Sequence, residues 1–381
     1  MCSIKPIAAA SNPGQVAAKA PLYAPLSLIA WILFCVFCNC AGWILSTFHQ
    51  LNVIGYATTV GLSVGFVFIF RTKIFPASWP GSKINTLQRR FRRPFPLAFL
   101  ILAILALVGG LLYSPNNYDA LAYRTPRVLH WLEQGRWHWI HTDFQRLNTR
   151  GCGMEWITAP IIAFTRTDRL FFFINAVCFL LLPGRVFAIL TRIAVQPRVA
   201  WHWMWLFPTG YCFLLQAGSI GNDLIGALFA MAAIELALRA RESGGIGYVC
   251  LSILSAALMT AGKTFNLLLL PAWLMAMAPS LRLLKSRIPS SGFIALVAAC
   301  ASLIPTALLN LRFCGDWTGQ AAEKVAAIQT GAPILHIVVN VMLLMLHNLA
   351  PPVFPFAGAW NQMMQHLLPA SLVERLAQHF P

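Results

Sequence analysis

The chain has 381 residues, 58% of them hydrophobic and only 10% charged, with a mean hydropathy of +0.68. A soluble globular domain carries about 25% charged residues, so the composition excludes one and predicts an all-α, polytopic membrane protein. The net charge of +17 fits either a nucleic-acid surface or the cationic loops of a multi-span protein; the apolar composition selects the second, with membrane lipids as partners and no nucleic acid.

Residues 1–24 are mildly polar, and the apolar run after them is long enough to span, so this end reads as a cytoplasmic segment before an uncleaved anchor. Apolar runs follow near 25–46, 51–70, 96–113, 170–190, 200–217, 221–239, 246–262, 264–279 and 291–309. A spanning helix takes roughly 20 apolar residues, which predicts about nine to ten transmembrane helices with the further run at 333–350. In that last run His336, Asn340 and His347 share one helical face, a stripe that suits an interfacial helix as well as a span.

The loop 71–95, "RTKIFPASWPGSKINTLQRRFRRPF", contains Arg71, Lys73, Lys83, Arg89, Arg90, Arg92 and Arg93 and no acid. It reads as cytoplasmic, and residues 25–95 read as two additional spans plus this loop. Counting spans outward places three further short basic loops on the same side. The long loop 114–168, "GSIGNDL" (218–224), "AGKTFN" (261–266) and "NLRFCGDW" (310–317) then fall together on the other side. Topology alone brings Asp119, Asn222, Asp223, Lys263 and Arg312 to one membrane face.

Five of the eleven acids, Asp119, Glu133, Asp143, Glu155 and Asp168, lie in the 114–168 loop. Within it, Thr125-Pro126 predicts a helix start and Gly135 its stop. Such a helix, lying flat on the outer surface, would turn Val128, Trp131 and Leu132 toward lipid and Arg127, His130 and Gln134 toward the span ends. Trp131, Trp137 and Trp139 are interface-seeking rings. Asp119, just after the third span, is either a general base or a local cap. Arg124, Arg127, Arg146 and Arg150, with Lys263 and Arg312, form a group suited to phosphate; singly, each fits headgroup contact as well. An acid at a bilayer edge, as at Asp223, is a functional candidate.

Around Lys263, "ALMTAGKT" imitates a P-loop, but the first glycine is replaced by Ala257 and no strand precedes it. A lysine and Thr264 at a break between spans remain, suited to a phosphate oxygen. His130, His138 and His141 lack the pattern of a zinc site. Of the ten cysteines, Cys35, Cys38 and Cys40 sit in the first apolar run as small hydrophobes, and Cys152 and Cys314 are the one pair with a route to a disulfide.

The segments "YDALAYRTPRVLHWLEQG", "QAGSIGNDLIGALFAMAA", "GKTFNLLLLP" and "NLRFCGDWTG" occur in that order. Together they resemble bacterial integral-membrane glycosyltransferases of the C-type superfamily, nearest to the branch of family 39 protein mannosyltransferases and the lipid A aminoarabinose transferase. The resemblance covers roughly 96–350, read as the membrane core, with 351–381 as a tail that looks shortened beside the longer chains of that family. It implies a polyprenyl-phosphate sugar donor and a lipid, glycan or protein acceptor. It also implies an active site facing the periplasm or exterior of a bacterial inner membrane, and no cofactor beyond an optional divalent cation. Under it Asp119 is the catalytic acid of the first outer loop. Arg124, Arg127, Lys263 and Arg312 are the lipid-phosphate ligands, and Tyr123, His130, Asn222, Asp223 and Thr264 form a polar site wall. Two departures stand out: relatives commonly show two neighbouring acids where this chain has Asn116-Asn117 before Asp119, and they continue with further spans or an outer domain. A lipid-linked-glycan transporter, a glycan polymerase and an inactive shortened transferase are the competing readings; acids at span ends rather than at mid-bilayer favour the enzyme.

Overall fold

The computed structural model describes residues 25–74, 90–285, 288–323, 333–350, 356–367 and 370–371. The segment 1–24, most of the basic loop and most of the tail beyond 350 lie outside them, as do the side chains of His336 and His347. Every regular element among the described residues is helical.

The principal helices are α1 (Pro25–Thr47), α2 (Val53–Ile74), α3 (Pro94–Leu112), α4 (Thr125–Gln134), α5 (Gly153–Thr165), α6 (Phe172–Arg192), α7 (Pro197–Leu206), α8 (Tyr211–Ala217), α9 (Asn222–Ser243), α10 (Ile246–Gly262), α11 (Leu270–Met277), α12 (Ile288–Cys300), α13 (Ile304–Cys314), α14 (Pro333–Leu349) and α15 (Phe356–Leu367). Leu, Ala and Ile dominate α3, and Pro94 and Pro96 stand in its first turn, where a missing N–H is harmless.

Among the described residues, three helices are long and apolar enough to cross a membrane, within Leu26–Thr47, Pro94–Leu112 and Phe172–Arg192. The pair Ser291–Cys300 and Ile304–Cys314, bent by 51°, adds a fourth if it forms one broken span. The nine or ten apolar runs of the sequence thus do not all become long helices. The run at 200–217 breaks into α7, a 3-10 turn at Phe207–Thr209 and α8, and the run at 264–279 begins as a 3-10 helix before α11. Pro208 and Pro271 each sit near the start of the piece that follows the break, where proline ends the preceding hydrogen-bond ladder.

The core is a bundle in which α9 and α10 are the most extensively packed pair, with α6, α5 and α1 around them. Ala232, Ala233, Ala237 and Ala240 on α9 are fully buried. Small side chains let helix backbones approach closely where lipid would otherwise compete for apolar surface. Ser252 donates to the carbonyl of Ala233 at 2.7 Å and accepts from Trp273 at 2.9 Å, so this buried hydroxyl is satisfied in both roles. α1 is an integral part of the bundle: Leu28, Ile32 and Cys35 are fully buried in the same core as α5 and α9. By contrast α3 leaves Leu97, Ile101, Ile104, Leu105 and Leu111 about half exposed, an apolar face larger than water tolerates on a monomer. Length, composition and this face mark a membrane-associated chain.

Candidate functional site

A cavity of about 200 Å³ lies where the end of α3, the turn before α4, the start of α9 and the end of α10 meet. Its walls carry Asp119, Tyr123, Arg124, Arg146, Arg150, Gly151, Asn222, Gly262, Lys263 and Thr264.

The turn that carries Asp119 is a π-helix, Ala120–Arg124, in which the Thr125 N–H reaches back to the Ala120 carbonyl. Such π turns concentrate at functional sites. Here the wider turn runs straight into α4, so Thr125 is its first helical residue and not a cap, a correction to the predicted start. Gly135 does end α4 in the left-handed conformation, φ +66. The predicted faces of α4 are corrected too. Val128 and Trp131 are buried against the bundle, with the Trp131 ring stacked on Trp156 at 4.9 Å, while Leu129 and His130 are exposed. A bundle of helices offers a ring as much apolar surface as lipid does, so hydrophobicity alone does not tell the two destinations apart.

Three amide side chains pin the loop before α9. Asn117 donates to Ile220 O at 2.8 Å, Asn175 to Ser219 O at 3.1 Å and Gly221 O at 3.0 Å, and Asn222 to Gly262 O at 2.7 Å. These bonds satisfy carbonyls that the chain reversal leaves without helical partners. They also fix the α9 start and the α10 end beside the α3 end. Gly151 and Gly153 pack against the backbone of Ala261, where an added Cβ would overlap it, so the segment carrying Arg150 reaches the same corner.

Asp119 has a side chain 42% exposed. Its Oδ2 accepts from the Tyr123 hydroxyl at 2.9 Å and lies 3.7 Å from an Arg124 nitrogen. Burial pushes the Tyr123 phenol up to about 12, outweighing the neighbouring Arg124, so the hydroxyl stays protonated as a donor. Oδ1 has no partner among the described residues, and Asp119 lines the cavity.

Behind this pair lies Glu155, fully buried, whose Oε1 takes Arg124 at 3.1 Å and Arg127 at 2.5 Å. Arg127 also donates to the carbonyls of Arg150 at 2.8 Å and Gly151 at 2.6 Å. Burial would lower its pKa, but Glu155 together with Cys152 and Tyr123 offsets this and leaves it raised. On the rim, Lys263 pairs with Asp223 at 2.6 Å, and Gln216 donates to the other Asp223 oxygen at 3.0 Å. Glu323, on the short helix Gln320–Glu323, pairs with Arg146 at 3.3 Å and with Arg150, and accepts from Thr149 at 2.6 Å. Among the described residues, the five cations Arg124, Arg127, Arg146, Arg150 and Lys263 thus meet four carboxylates in and behind the cavity wall.

Of the residues singled out in the sequence, Asp119, Tyr123, Arg124, Asn222, Lys263 and Thr264 line one cavity, and Asp223 joins it through Lys263. Three do not belong. Arg127 is fully buried and grips backbone and Glu155 instead of facing the cavity. Arg312 is exposed, its guanidinium 5.5 Å from the Phe313 ring. His130 is exposed and faces the His138 ring at 6.5 Å. Arg127 turns inward as expected but is sealed behind the cavity, and Arg312, placed by topology alone, stays on the outside. Arg146 and Arg150 take their places in the wall. Sequence reasoning assigns no role to Glu155 or Glu323; an acid opening the apolar run "MEWITAPIIAF" is the one signal that points to the first of them.

Cys152 and Cys314 are both free thiols. Among the described residues no group of three or more His, Cys, Asp and Glu side chains is placed to hold a metal ion. No family model, curated protein or solved structure matches this chain.

Proposed function

We propose that the chain is a polytopic membrane glycosyltransferase that moves a sugar from a polyprenyl-phosphate donor to a hydroxyl of a lipid, glycan or protein acceptor at the membrane face bearing the cavity. The observation that carries the reading is a half-exposed carboxylate, Asp119, held by a protonated Tyr123 in the same cavity as Arg146, Arg150 and Lys263.

In this reading Asp119 Oδ1 takes the proton of the acceptor hydroxyl while the hydroxyl oxygen attacks the anomeric carbon. The bond from that carbon to the phosphate oxygen breaks, and the electron pair leaves with the lipid phosphate, which goes from a diester to a monoester and gains one negative charge. Lys263, Arg146 and Arg150 stand where that charge grows, and stabilising a developing charge lowers the barrier. The present partner of Lys263 does not prevent this. The Lys263–Asp223 pair is exposed on both sides, 39% and 54%, and such pairs are worth only about 0–1 kcal/mol, so Lys263 turns to a phosphate at small cost. Arg127 and Glu155 act as scaffolding: they hold Arg124 and the 150–151 backbone in position. The cavity is smaller than the roughly 300–1,000 Å³ of common small-molecule sites. It suits the phosphate and the reacting carbon, with the prenyl chain outside it along the apolar helices.

The test is transfer of labelled hexose or pentose from polyprenyl-phosphate donors by the purified full chain in proteoliposomes. Label appearing in an acceptor, with release of lipid phosphate, supports the reading. Binding of lipid phosphate without transfer from any donor in a broad panel would move the assignment to a lipid-linked-glycan transporter.

A further inference from the structure

A second pocket, about 580 Å³, lies at the opposite end of the bundle, between the start of α3, the start of α7 and the end of α6. α3 leads away from it to the candidate site, so the two pockets lie at opposite ends of that helix. Among the described residues its walls include Arg93, Phe95, Phe187, Arg198, Trp201 and His202, and no acid. The Arg93 guanidinium lies 5.6 Å from the Trp201 ring centroid, which orients it over an aromatic face. The Phe95 ring meets His202 edge-on at 5.5 Å and 89°. His202 Nδ1 lies 2.7 Å from the Arg198 carbonyl; a carbonyl only accepts, so Nδ1 carries the proton and Nε2 is left for another partner. The acids on the neighbouring α9 are committed elsewhere: Glu242 takes Arg192 at 3.2 Å, and Glu235 takes Arg185 at 2.6 Å. The pocket is thus an uncompensated cationic corner with an aromatic floor.

It also adjoins an apolar track. Leu97, Ile101 and Leu105 follow at i, i+4 and i+8 along α3 and are 43%, 50% and 57% exposed. A free inorganic anion has no use for such a strip; a molecule with a phosphate at one end and acyl chains at the other fits both. Basic pockets between helices at a membrane surface are suited to anionic headgroups, and tryptophan concentrates at that depth.

We propose that this pocket binds the phosphate of an anionic phospholipid, with Arg93 and Arg198 as the charge partners, Trp201 as the interfacial ring, and the acyl chains along Leu97, Ile101 and Leu105. The inference rests on the membrane part of the proposed function and not on sugar transfer. Arg93 and Arg198 stand apart from the cavity of Asp119, so their replacement leaves any transfer chemistry in place.

The experiment is lipid binding to the full-length chain in mild detergent, read as bound-lipid mass on the intact protein. Phosphatidylglycerol is titrated against phosphatidylcholine of the same acyl chains, with inorganic phosphate as competitor. The expected result is one tightly held phosphatidylglycerol that phosphatidylcholine does not match. In Arg93→Gln/Arg198→Gln its affinity falls roughly thirtyfold, since each cation near a membrane surface is worth about one kcal/mol. Each single variant falls roughly fivefold, and Arg169→Gln, a control at an exposed position on the other face, changes nothing. Equal affinity in the double variant, equal binding of phosphatidylcholine, or displacement of the lipid by millimolar phosphate alone would each overturn the proposal. Resistance of the chain to alkaline extraction from membranes checks the premise separately, so loss of the premise and loss of the site give different results.

Discussion

Glu155 and Glu235 are both buried carboxylates that hold arginines, and they do so to different ends. Glu155 holds Arg124 and Arg127 at the end of the bundle where the chain turns over between α3 and α4. Glu235 holds Arg185 at 2.6 Å and also pairs with Arg239 one turn along α9. The two acids are equally buried, and each faces more than one guanidinium. The first network leads, through Tyr123 and Asp119, into a cavity with further cations on its rim. The second, between α6 and α9, extends through Arg192, 3.9 Å from Glu235, to Glu242, whose side chain is 44% exposed. It lies thirteen residues along α9 from Asn222, about 20 Å at 1.5 Å per residue. The lesson is that burying charge in a bundle does not by itself mark a site. What distinguishes the first network is a carboxylate with a free oxygen at its mouth and a wall of chain ends fixed by asparagine.

The sharpest test of that contrast is to remove each hub. Glu155→Gln and Glu235→Gln both strand buried arginines, and breaking a buried pair costs about 3–5 kcal/mol. Denaturation of the two variants in bicelles should therefore show similar losses. Transfer per folded molecule should separate them: it collapses for Glu155→Gln and survives for Glu235→Gln. Equal activity losses would erase the functional distinction between the two networks.

Lys263→Ala comes next. Loss of one stabiliser of developing charge lowers turnover by about 10²–10³, while stability falls by less than about 1 kcal/mol because the pair with Asp223 is exposed. A variant that lost stability and kept turnover would make Lys263 a structural residue. Tyr123→Phe removes one hydrogen bond to Asp119, worth about 0.5–1.5 kcal/mol, and should slow transfer up to roughly tenfold. Since the phenol is pushed up to about 12 by burial, it remains protonated from pH 5 to 9. No limb of the wild-type pH–rate profile over that window should therefore belong to Tyr123, and none should vanish in Tyr123→Phe. The smallest effect is expected at the two residues that the fold places away from the cavity: Arg312→Ala and His130→Ala should leave turnover within twofold of wild type.

Much of this corner is legible in the amino-acid sequence. Counting spans between basic loops predicts that Asp119, Asn222, Asp223 and Lys263 share one face, and the structure brings these four residues to one corner. The helicity of the chain follows from its apolar runs. Three things are not legible there. The burial of Val128 and Trp131 against the bundle depends on whether a tryptophan prefers a neighbouring helix or lipid, and Trp131 packs on Trp156. The role of Arg127 depends on carbonyls at 150 and 151 that become available only because Gly151 approaches Ala261 so closely. The partner of Arg146 and Arg150 is Glu323, more than 170 residues away in the chain, and no local spacing encodes a contact of that range.

The central claim is that Asp119 supplies the base of a sugar transfer. The most direct measurement is single-turnover transfer by Asp119→Asn beside wild type, with lipid-phosphate binding measured on the same preparations. The account predicts a rate lowered by about 10²–10⁴ with donor binding retained, because the Asp119 side chain is 42% exposed and stands beside, not among, the cations that face the phosphate. Unchanged transfer with Asn at position 119 would contradict it.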